Sequence, residues 1–215
     1  MKKSEYRSFP PSTMLSPAPA VLVSCADREH PEKRNLITVA WAGTVNSDPP
    51  MVSISLKKQR FSYSLIAGSG EFVINLVDGA LCKAADFCGV RSGRDLDKAA
   101  RTGLRYLPAE GLTIAPAVEG APASLSCRVR QILPLGSHDL FLAEVVAIRV
   151  RADLVDERGG IHLEKAGLVA YNHGLYQRLG EVLGFFGWSV AREDVLKRRL
   201  RNTETSDGKL KSRKR

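Results

Sequence analysis

The chain has 215 residues, 44% of them apolar and 26% charged, with a formal net charge of +9. That length supports one domain with a real core, or a domain plus a tail, and the balance is that of a globular protein rather than a disordered or membrane-spanning one. From Arg192 onward ten Lys/Arg oppose four Asp/Glu, a local +6 that leaves +3 on the body. The high pI therefore belongs largely to the tail, and nucleic acid is not an expected partner.

Residues 1–16 are polar and punctuated by proline, which predicts an extended arm. Ala20 to Cys25 reads as a first strand, ended by a charged turn from Asp27 to Lys33. Leu36, Thr38 and Ala40 alternate with Ile37, Val39 and Trp41, which predicts a strand buried on both faces. Gly43 to Pro50 has the composition of a turn. Met51 to Leu56 reads as the next strand, with Met51, Ser53 and Ser55 on one face. A basic loop follows, with Lys57, Lys58 and Arg60. Ser62 then stands where it would cap a helix through Leu65 and Ile66, ended by Gly68 to Gly70.

Further on, Glu71 to Leu76 reads as a strand, Ala80 to Cys88 as a short helix, Gly89 to Gly93 as a loop and Asp95 to Thr102 as a second short helix. Leu112 to Ala117 is a short β segment. Ala123 to Leu133 and His138 to Ala152 are the two longest strands, joined by a turn through Pro134 and Gly136. Asp156 to Gly160 is a turn, Gly174 to Gly184 is expected to be helical, and Phe185 to Trp188 is expected to be an apolar anchor. Glu193 to Leu200 is weakly amphipathic, and Asn202 to Arg215 is expected to be disordered. Strands outnumber helices, so a β-barrel with helical crossovers is the expected class.

Cysteines 25, 82, 88 and 127 form no C-x-x-C pair and have no histidine at zinc spacing, so packing thiols are expected and a metal site is not. Pro10, Pro11, Pro17 and Pro19 break the segment before Cys25, so no signal peptide is read there. No stretch approaches membrane-spanning length, and a cytoplasmic location without membrane attachment is expected.

The chemistry concentrates between Asn35 and Ile66. Two strands, the three cations Lys57, Lys58 and Arg60, and the helix start at Ser62 describe a seat for a phosphate with a flat group beside it. Taken alone, a solvated basic turn with an ordinary serine cap explains the same residues, with Lys58 turned to solvent.

The order of motifs resembles the flavin reductase-like family. The resemblance rests on Asn35, Thr38, Ala40 and Trp41, on Pro49 to Val52, and on Arg60, Ser62 and Tyr63. It continues through Gly70 to Leu76, Asp86 to Asp95 and Pro134 to Val145, so that it spans about residues 15–188. It implies an FMN-binding split β-barrel over residues 1–190, mainly β with short helices, followed by a basic, disordered tail at 191–215.

Under that resemblance FMN is the bound cofactor. Lys57, Arg60 and Ser62 hold its phosphate, and Thr38, Val39, Ala40 and Trp41 line its ring. The loop Arg91 to Arg94 meets polar groups of flavin or substrate, with Ser92 the preferred member. Trp41 packs on the ring, on a partner subunit, or simply in the core. His138 is the residue implied near the flavin and the nicotinamide, and a strand-start histidine satisfied by its own turn is the alternative. Tyr171 and Tyr176 either cover the site or pack in the core.

The implied activity is reduction of flavin by NADH or NADPH, with electrons passed to a downstream acceptor, in a homodimer with an acidic redox partner as a further candidate. The alternatives are an FMN-containing electron carrier without a nicotinamide site of its own, resembling flavoredoxin, and a non-catalytic flavin-binding protein.

Overall fold

A computed structural model of the chain describes residues 6–195 and Arg199. They divide into one compact unit ending at Leu179 and a second beginning at Gly180. The first unit contains, in chain order, β1 (Ala18–Pro19), β2 (Val21–Ala26), β3 (Arg34–Val39), β4 (Ala42–Ser47), β5 (Pro50–Leu56), α1 (Phe61–Ser69), β6 (Glu71–Leu76), α2 (Cys82–Val90), α3 (Lys98–Thr102), β7 (Tyr106–Leu107), β8 (Ala117–Val118), β9 (Ala123–Pro134), β10 (Asp139–Val150), β11 (Val169–Asn172) and β12 (Leu175–Arg178).

Seven of these strands form one sheet in the order β3-β2-β6-β9-β10-β5-β4, with every neighbouring pair antiparallel. The two end strands of that order, β3 and β4, are joined by only two residues, Ala40 and Trp41. The sheet is therefore drawn round on itself at this point, and the Ser55 amide donates to the Trp41 carbonyl at 2.9 Å. The result is a barrel closed at one end of β3 and split along the rest of it, as expected.

Alternation along β2 explains why both of its faces are buried. Val21, Val23 and Cys25 join Ile37, Val39, Ile54, Phe72 and Phe141 in the barrel interior. Ala20 and Leu22, with Leu36, pack outside the barrel against Leu81, Ala85 and Cys88 of the α2 region and Ala99 of α3. Leu65 and Ile66 of α1 join the interior core. Gly70 ends α1 with φ at 72°, a left-handed cap that needs no side chain.

Several expectations are corrected. The turn expected over Gly43 to Pro50 is mostly strand β4. Its β-branched Thr44 and Val45 extend, and β5 pairs with it across a bulge between Thr44 and Asn46. This strand lies at the end of the sheet order, where glycine is tolerated, and Pro50 takes the first position of β5. The strand expected through Trp41 stops at Val39, and Ala40 and Trp41 form a bend. Instead of a strand over Leu112 to Ala117, Tyr106–Leu107 pairs with Ala117–Val118.

The helix expected over Gly174 to Gly184 is replaced in part by β12, which pairs with β11. The hairpin turn is His173-Gly174, with φ of 47° and 94°, a two-residue loop of the kind that fits strand twist. In the second unit Phe186 and Trp188, expected as an anchor, are exposed. The tail from residue 200 onward, including the segment expected to be disordered, lies outside the described residues.

Candidate functional site

The split along β3 contains a groove in two joined parts. The first is a cavity of about 370 Å³ with three walls: Asn35 and Ile37 of β3, residues 57 and 59–62 entering α1, and the loop Arg91 to Arg94 with Lys98. The second is a slot of about 160 Å³ lined by Ile37 to Trp41, Ser55, Leu56 and His138. Both spaces share Ile37, Lys57 and Arg60.

Lys57, Arg60, Arg91, Arg94 and Lys98 line the cavity, and no Asp or Glu does. The Arg60 guanidinium makes one long contact, to the Gly89 carbonyl at 3.4 Å. Arg94 donates to the Gln59 carbonyl at 2.9 Å and lies over the Phe61 ring at 5.5 Å. Five cations gathered without a carboxylate repel one another, and an anion entering the cavity relieves that repulsion. The α1 N-terminus forms part of the wall, which adds to the same potential.

Lys98 was not singled out from the sequence. It is only 4% exposed, and its ammonium donates to the Leu36 carbonyl at 2.7 Å and the Cys88 carbonyl at 2.8 Å. Burial lowers its pKa. Carbonyls satisfy two of its three donors, and among the described residues no carboxylate pairs with it. The structure starts α3 at Lys98 rather than at Asp95, which puts a cation where the helix dipole favours an acidic side chain. The preceding Asp97 caps the helix by accepting from the Ala100 amide.

Ser62 is not the cap. Arg60 occupies that position without a side-chain hydrogen bond. Ser62 lies one residue into the helix, fully buried at the back of the cavity, where its hydroxyl accepts from the Asn35 side-chain amide at 2.8 Å. The loop from Arg91 is pressed onto that pair. A Cβ at Gly93 would lie 2.2 Å from the Oδ1 of the buried Asn35 side chain and 2.9 Å from the Phe61 ring, so only glycine allows this approach. Ser92 fixes the loop by accepting from the Arg94 amide at 3.2 Å. Lys58 is exposed, as expected, and its ammonium also pairs with the buried Asp139 at 3.5 Å.

In the slot, Thr38 is only partly free, because its hydroxyl donates to the Ala85 carbonyl of α2. Ala40 is small, and Gly89 approaches Thr38 so closely that a Cβ there would sit 3.3 Å from the Thr38 Cβ. The slot can therefore take a flat group along the strand. Trp41 is not core: it is 46% exposed. Its indole meets the His138 imidazole at the mouth, with ring centroids 4.5 Å apart. Desolvation, followed by the charges of Lys57 and Arg60, lowers the His138 pKa, which favours the neutral ring at neutral pH.

His138 Nδ1 and the Ser137 hydroxyl are 2.9 Å apart. The next residue, Asp139, is buried and accepts from the Tyr63 hydroxyl at 2.7 Å, which ties the start of β10 to α1. Glu144, further along β10, is paired with Arg130. Tyr171 and Tyr176 meet edge to face at 5.5 Å and bound a neighbouring space beside Thr38 and Ala40. The structure thus brings Thr38, Val39, Ala40, Trp41, Lys57, Arg60 and His138 to one slot, and Ser62 and Ser92 to the cavity beside it.

Comparison with known proteins identifies the family and the fold. Residues 13–180 match the model described as "Flavin reductase like domain". Flavoredoxin of Desulfovibrio vulgaris (Miyazaki F) superposes with a TM-score of 0.80 at 28% identity, covering 87% of this chain and 100% of that one. An uncharacterized protein of Aeropyrum pernix is 31% identical over 149 residues, 69% of this chain and 54% of its own length. The protein named FMN reductase (NADH) RutF of Stutzerimonas stutzeri is 23% identical over 132 residues, 60% of this chain and 71% of its own. The aligned part spans between half and two thirds of the A. pernix protein and of another relative, from Deinococcus radiodurans. With a matching model over most of its length and a split barrel carrying the groove, this chain belongs to the flavin reductase-like family.

Proposed function

We propose that the groove binds FMN and that the protein is an FMN reductase-type oxidoreductase, taking electrons from NADH or NADPH and delivering them to a downstream acceptor. The observation that carries this reading is the joined pair of spaces: a cavity with five cations and no carboxylate, opening into a slot lined by a strand and closed by Trp41 and His138. The first suits a terminal phosphate and the second a flat ring.

In this reading Lys57, Arg60 and Lys98 neutralise the phosphate. Ser62 acts through Asn35, and Ser92 holds the loop across the cavity. The backbone of Thr38, Val39, Ala40 and Trp41 meets the ring. His138, favoured neutral beside Trp41, positions the donor at the mouth. Bound FMN supplies the redox chemistry, so the protein needs no nucleophile of its own. The relative named FMN reductase (NADH) supports the reductase reading.

A homodimer with flavin sites near the interface is part of the proposal, supported by Trp41 and Val45, large apolar side chains left exposed around β4. A cytoplasmic location is proposed as well; among the described residues no helix is long and apolar enough to cross a membrane. Residues 1–190 are proposed as the flavin domain and 191–215 as an appended basic tail that can meet an acidic redox partner.

The test is anaerobic mixing of the FMN-loaded protein with NADH or NADPH, followed by flavin absorbance. Bleaching by either supports the reductase. A second reading, an electron carrier without a nicotinamide site, is favoured by the extent of the match to flavoredoxin. Bleaching only by dithionite or by a separate reductase would select it.

A further inference from the structure

The cavity holds more positive charge than one phosphate requires. A phosphomonoester brings about −1.5 to −2 at neutral pH, and Lys57, Arg60 and Lys98 already meet it. Arg91 and Arg94 remain, on the same cavity wall. The Arg91 side chain makes no hydrogen bond or ion pair with a described residue. Arg94 is fixed over Phe61, and Ser92 and the close seat of Gly93 on Asn35 brace the loop between the two arginines. One guanidinium held in place, that of Arg94, and one left unpaired, that of Arg91, stand at the exposed rim of the cavity on a braced loop and, without a carboxylate partner, form a cradle for a second phosphorylated group.

We propose that Arg91 and Arg94 form a second anion site, which takes the diphosphate of the dinucleotide donor while the flavin phosphate occupies the first. The inference rests on the flavin reductase reading above. It uses the shared lining of the two spaces: Lys57 and Arg60 border both cavity and slot, so a donor whose nicotinamide enters at His138 has its diphosphate beside the cavity rim. A small phosphorylated ligand is favoured over an acidic protein surface because the arginines line a three-walled cavity of about 370 Å³, within the usual range of small-molecule pockets.

The test uses the FMN-loaded full chain. Inorganic pyrophosphate is titrated calorimetrically at low ionic strength while flavin absorbance reports any release of FMN. Pyrophosphate is expected to bind without displacing FMN and to compete with NADH. Arg91→Gln should weaken pyrophosphate about tenfold and raise KM for NADH by a similar factor, with kcat unchanged and any loss of FMN affinity much smaller than that of Arg60→Ala. Displacement of FMN by pyrophosphate, or absence of binding, overturns the second site. So does a loss of FAD affinity in Arg91→Gln with KM for NADH unchanged, because the diphosphate would then belong to the flavin. Failure of both dinucleotides to reduce the protein sinks the reductase reading separately, and calorimetry with NADH and pyrophosphate still decides the anion site.

Discussion

The His138 imidazole and the Trp41 indole lie with centroids 4.5 Å apart and planes inclined by 43°. One ring comes from the residue just before β10 and the other from the two-residue link between β3 and β4, so their contact spans the mouth of the slot. His138→Ala is expected to slow reduction by NAD(P)H while FMN affinity stays close to wild type, because a donor that loses its alignment forfeits much of the proximity advantage. Reduction by dithionite should be unaffected. Stopped-flow traces with both reductants check this, and equal rates for wild type and variant with both would remove His138 from the mechanism.

Lys98 offers a prediction in which binding and stability part company. Lys98→Met keeps the volume but removes the buried ammonium. FMN affinity should fall by about tenfold or more, the loss of a charge-assisted contact worth roughly 1.5–3 kcal/mol. Riboflavin affinity should change little. The apoprotein should lose little stability, because the desolvation cost removed with the buried cation offsets the two hydrogen bonds lost at the Leu36 and Cys88 carbonyls. Thermal melts of apo and FMN-loaded protein separate these effects. A variant that melts early without flavin would make Lys98 a structural residue.

The sequence exposed the frame better than the site. Long alternating runs, such as Leu36 to Val39 and the pair Ala123 to Leu133 and His138 to Ala152, read as strands because their period survives any tertiary context. Gly43 to Ser47 did not, since an end strand buries little and its composition resembles a turn. Gly174 misled in the opposite sense: the hairpin at His173-Gly174 depends on two positive φ values that composition does not reveal. Lys57 and Arg60 were legible as neighbours of a helix start. Lys98 was not, because it reaches the cavity from a segment more than thirty residues away, through carbonyls of Leu36 and Cys88. Ser62 looked like a cap by type and place, but packing against Asn35 turned its hydroxyl inward.

Outside the groove, His162 carries a pH prediction. Its Nδ1 lies 2.9 Å from Glu164 and its Nε2 3.0 Å from Asp156. The hydrogen bonds to Asp156 and then Glu164 raise its pKa, while the bond from His162, followed by those from the Gly160 and Arg158 amides, brings Asp156 down to about 2. A raised histidine pKa stabilises the fold below the unfolded value, near 6.5, and that contribution is lost as pH rises through the folded value. The melting temperature of wild type over His162→Gln should therefore be largest near about pH 5 and vanish in the alkaline range. A difference independent of pH would show that packing rather than charge is at stake.

Truncation after Arg201 should leave FMN affinity and the melting temperature nearly unchanged, since the removed residues are polar and poor in strand pattern. Calorimetric melts and a flavin titration of the truncated protein check this. A large fall in either would show that the tail folds onto the flavin domain.

The central claim is that the cation-lined cavity seats the phosphate of FMN, and flavin titration of the apoprotein tests it most directly. Wild type should bind FMN more tightly than FAD or riboflavin. Arg60→Ala should weaken FMN by about tenfold to a hundredfold, as expected for losing a charge-assisted phosphate contact, and leave riboflavin almost unchanged. FAD bound as tightly as FMN, or equal losses for FMN and riboflavin in Arg60→Ala, would contradict the phosphate seat.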